Sequence, residues 1–447
     1  MRSKKLEFKK HLNVLKISSF LVIFTLLFVP KINIITIPGS TIGIRADDLA
    51  VVFFVVSLII SAAVKRQKYF DLFSKKMVAC YAAFIVVSVI SSLVNTMNSN
   101  VELASSLVYT ARFIEYLVVL PAGAILLKNG VKKDSLVHLF TAAIFFNLII
   151  CILQQKGFLL DIQSGITYKA GQVARPSAVF NAPFEICGVF MMFVPIYLIR
   201  IKNTKKSLLN LIPIVAISAI VYLSQSRSSL VIIAAVVAVY MLATIRQKLM
   251  VLAMVIALAV ACVAGVFAIN NMSSKSRMSR VSSDSTEYAI QNAWRNRDFK
   301  NFTEDQEKLP GVFYKGDPSL NIRLMKWFTA MDGAVKSPVV GIGPSFIKIA
   351  LDGSYIRLFV ETGILGLISY VATLIISFKA IPKKSKYRKI IFYIFLITAA
   401  HAFFIDVFYS SRVMSLYWVL VGTCIYLSRV ESRSAKHKEI EGKSQNG

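Results

Sequence analysis

Acidic residues are scarce in this chain. Only 23 Asp and Glu stand against 52 Lys and Arg, and four histidines complete the set of common acid–base groups. The five cysteines, Cys80, Cys151, Cys187, Cys262 and Cys424, all fall inside apolar runs and form no CxxC or other ligand spacing. A disulfide framework and a cysteine metal site are therefore excluded. His11, His138 and His437 are scattered and make no cluster with His401. No internal repeat, coiled-coil heptad or soluble catalytic domain appears. The net charge of +29 is spread over many short segments rather than gathered on one stripe, which argues against a nucleic-acid partner.

What fills the chain instead is hydrocarbon. The sequence is 56% hydrophobic and its mean hydropathy is +0.64, values outside the range of an ordinary soluble globule. About twelve apolar runs recur, each sized to cross roughly 30 Å of bilayer: 17–36, 49–64, 77–94, 103–127, 136–154, 178–199, 208–223, 229–245, 249–269, 354–378, 390–405 and 413–428. Helices alone satisfy their own backbone polar groups at such density, so the expected fold is all-α, a polytopic membrane bundle. The first run follows a basic stretch and lacks a small-residue cleavage site, so it reads as retained. With both termini inside, the cytoplasmic segments carry about 31 basic residues and the short outer loops about seven, the asymmetry of the positive-inside rule. Such a chain also favours anionic membrane lipids.

One segment breaks the rhythm. Residues 270–353 form a large polar loop on the expected outer side, dividing the chain into spans 1–9 (1–269), the loop (270–353), spans 10–12 (354–428) and a cytoplasmic tail (429–447). The loop opens with a Ser/Lys/Arg-rich stretch, and a helix is expected around 287–299. Asp317 and Pro318 suggest a helix start, with Leu320, Leu324, Trp327, Met331 and Ala334 on one face. Ser337 and Pro338 end it, and Gly341 to Pro344 turn back toward the bilayer.

Charges at membrane boundaries mark function by default. Arg175, Arg227 and Arg357 all lie at the expected outer face, where guanidinium forks suit a pyrophosphate. Arg112, within span four, and Arg323, in the loop, are second choices. Arg112 with Glu115 also reads as an intramembrane salt pair, and Arg412 in the last outer turn as a headgroup anchor. Asp352, Glu361 and His401 are the candidate acid–base groups. Structural pairing with an arginine stands beside catalysis for Glu361, and simple hydrogen bonding beside it for His401. The adjacent Asp47 and Asp48 lack the supporting ligands of a metal site.

Several motifs occur in a recognisable order: Arg175-Pro-Ser with Asn181; Ser226-Arg227-Ser228; Trp327 followed by Pro338 to Gly343; and Tyr355 through Glu361-Thr-Gly363 to Gly366. In these the chain resembles the O-antigen ligase and polymerase (Wzy-type) family of bacterial envelope glycosyltransferases, chiefly over 170–370. The resemblance implies a bundle like that of the C-type membrane glycosyltransferases, with no metal or other cofactor. It implies undecaprenyl-pyrophosphate-linked oligosaccharide as substrate, used at the outer face of the bacterial plasma membrane, with a flippase and a chain-length regulator as further partners. Ligases of this family carry His-Asn nine and eight residues before the Glu of Glu-x-Gly, where this chain has Asp352 and Gly353. That departure points to the polymerase branch. The resemblance then assigns Arg175, Arg227, Arg357, Arg112 and Arg323 to the pyrophosphate and Asp352 to the acceptor hydroxyl. A lipid-linked-sugar transporter is the alternative from another class, although its usual internal repeat is missing.

Overall fold

The computed structural model describes residues 2–36, 43–65, 72–158, 169–170, 173–203, 208–242, 318–347 and 351–444. The expected ninth span at 249–269, the Ser/Lys/Arg-rich stretch and the helix expected at 287–299 lie outside them. Within them the chain is almost wholly helical: α1 (Arg2–Phe28), α2 (Ala46–Lys65), α3 (Lys75–Met97), α4 (Leu103–Val118), α5 (Ala122–Lys128) and α6 (Lys133–Gln155) in the first part. Then follow α7 (Pro183–Met191), α8 (Val194–Asn203), α9 (Leu211–Leu223), α10 (Arg227–Leu242), α11 (Pro318–Ala334), α12 (Ser354–Lys379), α13 (Lys386–Ala402) and α14 (Ser411–Ser444). Two small antiparallel pairs interrupt them, β1 (Asn33–Thr36) with β2 (Gly43–Arg45) and β3 (Lys169–Ala170) with β4 (Val173–Ala174).

Among the described residues, seven helical stretches are long and apolar enough to cross a membrane: α2, α3, α4 with α5, α6, α7 with α8, α12 and the first part of α14. Shorter apolar helices stand at Val14–Phe28, Leu211–Leu223 and Arg227–Tyr240. Two expected boundaries move. The first span stops at Phe28, because Pro30 cannot continue the helix and residues 33–36 pair as β1. The sixth starts at Pro183, whose fixed φ and missing N–H suit the first helical turn; the loop from Ala178 to Ala182 before it is buried except for half-buried Asn181.

Burial sorts the helices. In α7–α8 and α14, 83% and 78% of the apolar window is covered by protein, against 33–39% in α2, α3 and α6. The former are therefore the centre of the bundle and the latter its lipid-facing rim. Between them Tyr81, Phe84, Phe113, Tyr370, Phe408 and Trp418 interlock with ring centroids 4.9–6.2 Å apart, the spacing of favourable aromatic pairs. This aromatic layer is the floor beneath the charged groups described next.

Helix α11 packs on a face that overlaps the expected one only in part. Met325, Thr329, Ala330, Gly333 and Ala334 form its buried face, and Met331 is 38% exposed. Small residues let its last turns lie close to Ile342, Ile347, Leu351 and Val360, so contact distance rather than side-chain size chose the face.

Candidate active site

At one end of the bundle α4, α7, α12 and the 3-10 turn Val407–Tyr409 meet around a cavity of about 230 Å³. Its charged lining is Lys31, Arg112, Glu185, Arg357 and Asp406, over a base that includes Phe113 and Tyr116. The opposite end of the bundle carries ion pairs of another set, Arg200–Asp134 at 2.7 Å and Lys386–Glu431 at 3.6 Å.

Arg357, in the first turn of α12, organises the cavity. Its Nε donates to Glu361 one turn on (3.2 Å), its Nη1 to Asp406 (3.0 Å) and its Nη2 to the carbonyl of Ile347 (2.8 Å). The guanidinium also lies 4.2 Å over the ring of Tyr409, whose hydroxyl donates to the other oxygen of Glu361 at 2.9 Å. Burial pushes the Tyr409 phenol well above its ordinary pKa, so it remains a donor at neutral pH. Three of the five donors of this guanidinium are thus engaged by its own protein.

A second buried pair lies across the cavity. Lys31 Nζ contacts Glu185 at 3.1 Å, and Ser410 Oγ and the Asn181 N–H also donate to that carboxylate. Burial lowers the Lys31 pKa, and Glu185 opposes that shift. Arg112 differs from both. It makes no ion pair with Glu115, against the salt-pair reading, and its nearest aromatic contact is Tyr109 at 5.9 Å. Arg412 is buried rather than set among headgroups. It donates to the carbonyls of Val179 and Val29 and stands 5.1 Å from the ring of Phe180, so it ties loop ends together.

Asp406 does more than neutralise Arg357. Its carboxylate accepts the N–H of Leu351 (2.9 Å) and of Gly353 (3.2 Å). It therefore clamps the turn that carries Asp352, a residue in the left-handed region at φ +57°. Trp327 of α11 supports the same turn through its indole N–H, which donates to the carbonyls of Leu351 (3.0 Å) and Asp352 (3.2 Å). The Asp352 side chain is 27% exposed and pairs with Arg323 Nε at 3.0 Å. Asp352 is not in the cavity wall; it stands beside it, between two residues bonded to a cavity carboxylate.

Helix α12 is broken at Gly363 (φ +68°, ψ −173°), and the turn after α11 fills the break. The N–H groups of Ile342 and Gly343 donate to the carbonyls of Val360 and Glu361, and those of Ile364 and Leu365 to Pro338 and Val339. A Cβ on Gly363 would lie 2.1 Å from the Val339 oxygen, and one on Gly341 would lie 2.4 Å from the Glu361 backbone. Both positions also have positive φ, so only glycine fits. From α3, Ser91 donates to the Glu361 carbonyl (2.9 Å) and Asn95 to that of Gly341 (3.0 Å). Two of the motifs recognised in the sequence are thus halves of one docking joint.

The remaining candidates gather elsewhere. Arg175 Nε donates to the Ser224 carbonyl (3.2 Å), and Ser226, Ser229 and His401 form a buried hydrogen-bonded row. His401 uses Nε2 there, 3.1 Å from Ser229 Oγ, while its Nδ1 has no partner. Arg227, half buried, opens α10 next to this row. The candidate residues therefore fall into three places: Arg112, Arg357 and Glu361 at the cavity, Asp352 and Arg323 at its rim, and Arg175, Arg227 and His401 at the start of α10. Lys31, Glu185, Asp406 and Tyr409 were not singled out from the sequence. Glu185 inside an apolar run and Asp406 between two of them were signals of the kind that marks intramembrane function.

Residues 212–371 match the family model described as O-antigen ligase. This stretch runs from α9 to beyond the break in α12, and the match is consistent with the O-antigen ligase and polymerase family. The match supports a function of ligase or polymerase type, that of a membrane glycosyltransferase-like enzyme using lipid-linked glycans. No curated protein matches the chain.

Proposed function

We propose that this protein is a polysaccharide polymerase of the bacterial plasma membrane. It transfers a growing glycan from undecaprenyl pyrophosphate onto the next lipid-linked repeat unit at the outer face. The observation that carries the reading is the charged cavity at one end of the bundle, with the clamped turn of Asp352 beside it. By the Lys/Arg distribution of the loops, that end is the outer one.

The chemistry follows from charge. An acceptor sugar hydroxyl attacks the anomeric carbon of the donor, the carbon–oxygen bond to the diphosphate breaks, and undecaprenyl pyrophosphate leaves with the bonding electrons. Negative charge grows on the leaving diphosphate, and preorganised cations stabilise it most effectively. Arg112, which forms no ion pair among the described residues, meets the diphosphate first, helped by Lys31 and the remaining donors of Arg357. Arg175 and Arg227 extend the anion-binding surface. Asp352 accepts the hydroxyl proton, and Arg323 holds its carboxylate in place. The acid at position 352, where the ligases that the chain resembles carry histidine, favours polymerase; the match to the O-antigen ligase family supports ligase as the second reading.

Purified protein in liposomes, supplied only with a polyprenyl-pyrophosphate-linked repeat unit, should give a ladder of lengthening lipid-linked products. A product that forms only when a lipid A core acceptor is added would overturn the polymerase reading in favour of the ligase.

A further inference from the structure

Helices α1 and α6 touch at one end and part at the other. Near the cavity end Asn147 Nδ2 donates to the Leu27 carbonyl at 3.0 Å, and the rings of Phe28 and Phe146 are 5.4 Å apart. Toward the opposite end they diverge, leaving a groove of about 710 Å³ walled by Ile17, Phe20, Leu136, Leu139 and Ala142. Ile17 and Phe20 are exposed, so the groove opens to the outside of the bundle. Its polar rim is Lys16, Ser135 and His138, with Lys132 and Lys133 at the start of α6. Among the described residues no acid lines it, and nearby Asp134 is engaged by Arg200 at 2.7 Å.

An apolar wedge that opens into hydrocarbon does not stay empty or hold water; an acyl chain fills it. The cationic rim at its end then selects the head that the chain carries. We propose that this groove is a binding site for an anionic glycerophospholipid, acyl chain between α1 and α6 and phosphate at Lys16 and His138. The site lies at the end of the bundle away from the charged cavity and does not depend on the reaction proposed above.

Full-length protein in mild detergent is titrated with phosphatidylglycerol, phosphatidylcholine and undecaprenyl phosphate, and retained lipid is counted by native mass spectrometry. Phosphatidylglycerol should be retained in preference to the other two. Lys16→Glu, a change on the rim, should weaken its retention by about tenfold. Ala142→Trp, which fills the groove, should abolish it. Equal retention of phosphatidylcholine, displacement of phosphatidylglycerol by undecaprenyl phosphate, or unchanged retention in Lys16→Glu would overturn the assignment.

Discussion

Removal of the Asp406 carboxylate should release the turn that presents Asp352. This carboxylate accepts two backbone N–H groups and one guanidinium, at 2.9, 3.2 and 3.0 Å, and both it and Arg357 are buried. Hydrogen bonds to a charged group contribute about 1.5–3 kcal/mol each, though not additively. Breaking a buried ion pair from one side costs about 3–5 kcal/mol, because the other charge is left without its partner. Asp406→Ala should therefore destabilise the docked turn by about 3–5 kcal/mol, a factor of at least one hundred in its opening equilibrium. Asp406→Asn keeps the shape and one carbonyl acceptor, so about 1.5–3 kcal/mol is expected. Hydrogen exchange read by mass spectrometry is the direct assay. Amides of 351–357 should exchange far faster in the alanine variant and moderately faster in the asparagine variant, while those of α7 stay protected. Exchange within threefold of the parent protein in both variants would show that Asp406 does not clamp the turn.

The joint and the two arginines of the cavity give further tests. Gly363→Ala places a Cβ 2.1 Å from the Val339 oxygen at a positive φ, so it should undock the 338–343 turn; faster exchange at 341–343 and a lower unfolding temperature check this. Arg112→Ala removes no ion pair among the described residues and should leave stability within about 1 kcal/mol, yet it should weaken retention of polyprenyl pyrophosphate at least about tenfold if this cation meets the diphosphate. Arg357→Ala should do the reverse in emphasis, lowering stability by about 3–5 kcal/mol because Glu361 and Asp406 lose their shared partner; thermal unfolding of the two variants side by side separates the roles. Asp352→Asn should keep the fold, since its pair with Arg323 is partly exposed and contributes about 1 kcal/mol or less, while chain growth in liposomes is abolished; near-normal growth would move the proton acceptor elsewhere.

The spans were legible because hydropathy acts locally. A run of apolar residues must be helical in a bilayer; the ends at Pro30 and Pro183 were missed because hydropathy alone runs on past a proline that stops or starts the helix. The loop helix at Pro318 and the turn at Gly341 were legible from equally local signals. The partners of the charged groups were not. Arg357 meets Asp406 49 positions away and Lys31 meets Glu185 154 positions away, pairings that exist only once α7, α12 and the Val407–Tyr409 turn have packed. The expected face of α11 holds in part: Trp327 and Ala334 pack against the neighbouring cluster, while Met331 does not. Periodicity favoured its large residues, but the broken α12 approaches so closely that Ala330 and Ala334 make the contact and Met331 is turned out.

Pairing also changes the rank of the arginines. Sequence position placed Arg357 before Arg112, since one stands at a membrane boundary and the other inside a span. In the folded protein Arg357 faces two carboxylates, at 3.2 and 3.0 Å, so its positive charge is already balanced where an anion would arrive. Its rigidity is its contribution: it fixes Glu361, Asp406 and the Ile347 carbonyl in one frame. Arg112 lines the same cavity with no ion-pair partner among the described residues; Glu115 and Asp48 act on it from farther off. A phosphate about 4 Å from a cation gains about 4 kcal/mol at the effective dielectric of a partly wet protein site, and a guanidinium already matched by two acids offers little of that. On the proposed reading, scaffold and anion contact are divided between two arginines of one cavity: Arg357 is matched by two acids in contact, whereas Glu115 and Asp48 act on Arg112 only from farther off.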